Sequence, residues 1–153
     1  LSRTFDGALR LREMEEKIRA EEMVARGELT GSLYESASRA YSAERWEDAA
    51  EHARHATVLL PSTDPRRAEL LCVRGEALLR AGHAREAVEP FALVADGEPD
   101  PHRAQALYSG ALALEASGQE ENAAAYRRRL RGEYPDTPWA GRLGAPPEPS
   151  PRR

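Results

Sequence analysis

LCVRGEALLRAGHAREAVEPFALVADGEP (71–99) holds two helical patterns joined by a turn. Upstream of Gly82, the residues Leu71, Gly75 and Leu78 fall at i, i+4 and i+7, one face of an α-helix. Downstream, Ala87, Phe91 and Val94 repeat the spacing. Gly82 lets the backbone turn tightly between the two, and Pro99 cannot continue the second helix. Gly75 and Ala87 are small enough to let the helices cross closely. The stretch reads as a helical hairpin.

The same hairpin recurs on either side. Ala49, Ala87 and Ala123 head the three second helices, and each lies the same distance before a proline: Pro61, Pro99 and Pro135. On the first helices, Leu33-Ala37-Ala40 and Leu107-Ala111-Leu114 match Leu71-Gly75-Leu78. On the second helices, Ala49-Ala53-Ala56 and Ala123-Arg127-Leu130 match Ala87-Phe91-Val94. The turns are ERWEDAA (44–50), GHAREAV (82–88) and GQEENAA (118–124). Glu44 stands where the other two have glycine, and Arg127 stands where an apolar residue is expected. One hairpin cannot bury its own apolar face, but three stacked hairpins bury a continuous core.

This pattern resembles the tetratricopeptide repeat (TPR), a consensus of about 34 residues. The resemblance implies an all-α, TPR-type α-solenoid of three hairpins, with repeats at about 30–63, 68–101 and 104–137. Linkers STDPRRAE (62–69) and EPDPHRA (98–104) absorb the extra length, with Asp64-Pro65 and Asp100-Pro101 set to open helices. Residues 1–29 read as an N-terminal amphipathic helix with a short stripe of Leu11, Met14 and Ile18. That stripe fails at Glu21, so a long coiled coil is not supported. TPWAGRL (137–143) reads as a short capping helix that packs Trp139 on the last repeat. The Pro-rich 144–153 reads as a disordered tail.

Composition agrees with helices and limits the chemistry. Ala, Leu, Glu and Arg abound, and aromatics are 6%. The net charge of −4 gives no reason to expect nucleic acid as a partner. No apolar run reaches the roughly 18 residues of a membrane span, so no membrane insertion is expected. Lys17 is the only lysine and Asn122 the only asparagine, a bias that suggests a GC-rich bacterial genome.

Few residues invite catalysis or metal binding. Cys72 is the only cysteine, which excludes an internal disulfide. His52 and His55 sit three apart beside Glu51, but no third ligand follows at helical spacing. Arg127, Arg128, Arg129 and Arg131 form the densest charge cluster, and no aromatic platform accompanies it. No phosphate-binding or hydrolase motif is present. No enzyme, cofactor or metal is expected.

The resemblance also implies where a ligand would lie: in a concave groove lined by the first helix of each hairpin. The corresponding positions are Tyr34, Ser38, Tyr41 and Ser42, then Glu69, Cys72, Glu76, Leu79 and Arg80, then Gln105, Tyr108, Leu112 and Glu115. Tyrosines and leucines offer anchors, and the carboxylates outnumber Arg80, so a protein or peptide with an apolar core and some positive charge is expected. Ser38, Glu76 and Leu112 stand where carboxylate-clamp TPRs carry asparagine, which argues against that subtype. GEYPDTPWAGR (132–142) is similar to the last repeats of bacterial envelope TPR proteins such as the Tol–Pal cell-division coordinator, and favours the periplasm over the cytoplasm. The expected function is an adaptor or scaffold. The alternative is homo-oligomerisation through helix 8–28.

Overall fold

A computed structural model describes residues 2–145. Leu1 and residues 146–153 lie outside it, and with them most of the expected tail. The described chain is helical throughout: α1 Ser2–Ser42, α2 Trp46–Leu59, α3 Arg66–Arg80, α4 Ala84–Ala95, α5 Arg103–Ala116, α6 Glu120–Glu133 and α7 Pro138–Arg142. Each helix packs on the next, so consecutive pairs form a tandem stack.

The three hairpin turns share one backbone solution. In each, an N–H reaches back five residues to a carbonyl: Arg45 to Ala40, His83 to Leu78 and Gln119 to Leu114, all at 2.8 Å. This closure needs a left-handed residue just past the helix. Gly82 at φ 86° and Gly118 at φ 82° take it without a Cβ penalty. Glu44 takes it too, at φ 58°. The first turn therefore keeps the geometry that its sequence appeared to lack, at a conformational cost.

Phe91 is the hub of the core. It is fully buried in α4 and lies between two glycines of the flanking helices. A Cβ on Gly75 of α3 would stand 2.6 Å from the Phe91 ring, and one on Gly110 of α5 would stand 3.1 Å from the Phe91 Cβ and 2.9 Å from the Tyr126 ring. Burying a phenylalanine contributes about 1.5–3 kcal/mol, and here the bare backbones on both sides make room for it. Tyr126 of α6 fills the corresponding space in the third hairpin. Arg127, at the expected apolar position, instead turns to Glu115. Pro90 lies inside α4 and is buried, yet the helix runs through it.

One apolar cluster links all three hairpins, from Ala40 and Ala49 through Leu71, Phe91 and Leu107 to Leu130. Around the first hairpin the core is built mostly of alanine: Ala37, Ala40, Ala49, Ala53 and Ala56. These small residues permit close crossing, but each buries little area.

The two ends differ. Thr137 caps α7, its hydroxyl accepting from the Ala140 N–H at 3.3 Å, and Pro138 opens the helix. The Trp139 ring lies 5.6 Å from that of Tyr108 on α5. At the other end, α1 is a single helix of 41 residues. α1 runs unbroken through Gly27 and Gly31, across the expected domain boundary between residues 29 and 30. Neither glycine has a neighbour within 4 Å of its Cβ position, and strong helix formers flank Gly27. Residues 2–29 are exposed on every side, and Thr30 is the first buried residue. About 40 Å of helix therefore stands clear of the body.

Candidate binding groove

The stack has an inner and an outer layer. α3 packs on both α1 and α5, and α5 packs on α7, whereas the backbones of α2, α4 and α6 do not pack on one another; α6 reaches α4 through the Arg129 side chain, which donates to the Ala95 carbonyl. Odd-numbered helices are thus drawn together and even-numbered ones splayed apart, which curves the described body with α1, α3 and α5 on the concave side. The leading part of α1 stands clear of the body, so it leaves that side open.

The centre of the concave side is a hollow of about 250 Å³ lined by Tyr41 of α1, Glu69, Cys72, Val73 and Glu76 of α3, and His102 and Gln105 near the start of α5. The α3 residues share one helix face by their spacing of three and four. Tyr34 of α1 donates a hydrogen bond of 2.7 Å from its hydroxyl to Glu69 Oε1, which together with burial raises the phenol pKa. Ser109 of α5 donates to Glu76 Oε1. Both carboxylates are therefore held in place by neighbouring inner helices. Asp100 lies outside the lining of this hollow, beside it in the linker, its Oδ1 2.8 Å from both the backbone N and Nδ1 of His102.

Aromatic–arginine clusters flank this acidic centre. Tyr41 meets Trp46 edge-on at 5.1 Å, and the Arg80 guanidinium lies 5.4 Å from the Trp46 ring. Burial and then Glu76 push the Tyr41 phenol upward, and Arg80 draws it back. Toward α7, Arg142 lies 4.4 Å from the Trp139 ring and 5.9 Å from that of Tyr108. Each arginine covers an aromatic face.

The residues expected in the groove fall into distinct positions. Tyr41, Glu69, Cys72, Glu76 and Gln105 meet in the central hollow. Tyr34, Ser38 and Ser42 line a separate shallow surface along α1. Leu79 packs partly buried against the core, and Leu112 is 41% exposed. Cys72 is only 2% exposed, so it forms the floor of the hollow and not its free wall. Burial first, then the nearby Glu76, Asp100 and Glu69, push its thiol up to about 12. Glu115 pairs with Arg127 of the outer helix α6, which takes it out of the acidic centre. His102 lies in the expected linker just before α5, where Asp100 accepts from its backbone N–H and its ring reaches the edge of the hollow.

The remaining candidates disperse. His55 pairs with Glu51 on the outside of α2 at 3.1 Å. No group of three potential metal ligands occurs among the described residues. The arginine run divides: Arg127 goes to Glu115, and Arg129 goes to Asp96 at 2.7 Å and the Ala95 carbonyl at 2.9 Å. No described helix is long and apolar enough to cross a membrane.

No protein-family model matches the chain, and no curated protein matches it either.

Proposed function

We propose that the chain is a TPR-type adaptor that captures a segment of a partner protein on its concave face and catalyses nothing. The observation that carries this reading is the layering. Inner helices in mutual contact create a curved wall, and fixed carboxylates and half-buried aromatics project from it. Glu69 and Glu76 favour a peptide with lysine or arginine at its centre, and the aromatic clusters favour apolar flanks. The buried, protonated Cys72 thiol supports a binding role over a nucleophilic one. The similarity of residues 132–142 to envelope repeats favours a bacterial envelope complex.

The test is a scan of short peptides graded by charge and aromatic content, with affinity read by fluorescence anisotropy. Basic peptides with an apolar flank should bind. Replacing Glu69 and Glu76 by Gln should weaken them roughly tenfold, a loss of about 1.4 kcal/mol. Raised salt should weaken the parent protein's binding more than the variant's. Equal binding of acidic and basic peptides, or no effect of the double substitution in a still-helical protein, would remove the groove reading.

A further inference from the structure

Residues 2–29 of α1 carry Phe5, Leu9, Leu11, Met14, Ile18, Met23, Val24 and Leu29, all at least 48% exposed. Of these, Leu11, Met14 and Ile18 share one face that lacks a cover, whereas Phe5, Leu9 and Met23 lie on the opposite side of the helix. Its charge pattern specifies the cover. With Leu11, Ile18 and Ala25 at heptad position a, Met14 and Glu21 fall at d. The flanking g positions are then Arg10, Lys17 and Val24, and the e positions are Glu15, Glu22 and Leu29.

In a parallel pair each g residue faces the e residue five further along the other strand. That matches Arg10 with Glu15, Lys17 with Glu22, and Val24 with Leu29: two opposite-charge pairs and one apolar pair, each formed twice across the dyad. An antiparallel pair sets g against g and e against e, which brings the basic residues together and the acidic residues together. The β-branched Ile18 at position a favours two strands. From these complementarities we infer that a second copy of this chain covers the helix, in a short, parallel, in-register two-stranded coil centred on Leu11, Met14 and Ile18.

Glu21 explains why the coil is short and the association weak. It places like charges face to face at a d layer, and the stripe does not recover beyond Ala25. The stripe is also offset by somewhat less than a quarter turn from Leu33, Ala37 and Ala40, which pack toward α2, at about 100° per residue. A second helix can therefore lie along α1 without displacing α2. A parallel dyad sets both concave faces at the same end, where a partner with two binding segments would engage both. The inference does not depend on what the groove binds.

Two charge-swapped chains test it, with mass read by sedimentation equilibrium up to concentrations on the order of 100 µM. One carries Arg10→Glu and Lys17→Glu, and the other Glu15→Arg and Glu22→Arg. The parent chain should show a concentration-dependent monomer–dimer equilibrium. Each swapped chain alone should stay monomeric, because both of its charged g–e pairs repel. An equimolar mixture should form the heterodimer, because all four charged pairs are restored. Glu21→Leu in the parent chain should tighten the dimer at least tenfold. Dimerisation of either swapped chain alone, a mixture that stays monomeric, or a parent and a Glu21→Leu variant that both remain monomeric would each overturn the inference. Circular dichroism at low concentration shows that the helical body survives each substitution.

Discussion

Glu44 is the residue most at odds with its place. It closes the first hairpin with a left-handed backbone at φ 58°, where Gly82 and Gly118 close the other two. An L-residue there costs about 1–2 kcal/mol through its Cβ, and part of that advantage is lost when glycine frees the unfolded chain. Glu44→Gly should therefore raise stability by about 0.5–1 kcal/mol, read as a higher urea midpoint with an unchanged slope. No gain would mean that the turn is held by something other than the shared hydrogen bond from Arg45 to Ala40. The repeat register exposed this site in the sequence: one glycine was missing at a position where two others stood. Phe91 was legible as a core residue, yet its second neighbour was not. The register pointed to Ala111 as the small residue of α5, while Gly110, one position earlier, is the one that admits Phe91 and Tyr126. Spacing arguments locate a helix face but not which of two adjacent small residues meets the ring.

At the scale of elements, the hairpins were readable and the leading helix was only half so. Turn glycines, terminal prolines and matched i, i+4, i+7 triplets point to α2 through α6 because each is a local steric requirement. The continuity of α1 was hidden, since glycines at 27 and 31 suggest a stop that nothing in the packing enforces. That continuity has a measurable consequence. Residues 2–29 bury nothing against the body, so their removal should lower the ellipticity yet leave the unfolding free energy of the remaining chain, read from urea titration, unchanged within about 0.5 kcal/mol. Trypsin at low protein concentration should cut first within residues 2–29, at Arg10, Arg12, Lys17, Arg19 and Arg26, because exposed backbone in an unsupported helix opens most readily. A large drop in midpoint on truncation would show that the helix folds back on the body. The groove positions came from the resemblance to the repeat family, and of them Tyr41, Glu69, Cys72, Glu76 and Gln105 line one hollow. Burial of Cys72 and capture of Glu115 by Arg127 were not legible, because both depend on which side chain of a neighbouring helix arrives there.

At the scale of the whole molecule, stability is a sum of hairpins and the contacts between them. Those contacts are uneven. Phe91 bridges α3 and α5, so much of the coupling between the second and third hairpins passes through one ring. The core around the first hairpin is mostly alanine, which buries less apolar area than the leucines at Leu107, Leu114 and Leu130 of the third. The two tryptophans report opposite ends: Trp46 on the first hairpin and Trp139 on the cap. Single-tryptophan versions, made with Trp139→Phe or Trp46→Phe, should unfold in urea at coincident midpoints while the stack is intact. Phe91→Leu in each background removes part of the bridge and leaves a cavity, at a cost of about 1–3 kcal/mol. The two midpoints should then separate, with Trp46 reporting loss of structure first because its hairpin has less of its own to hold it. Midpoints that fall together by the same amount would show that coupling is spread across the whole interface. Trp139 leading Trp46 would show that the aromatic cap, and not the alanine core, is the weaker end.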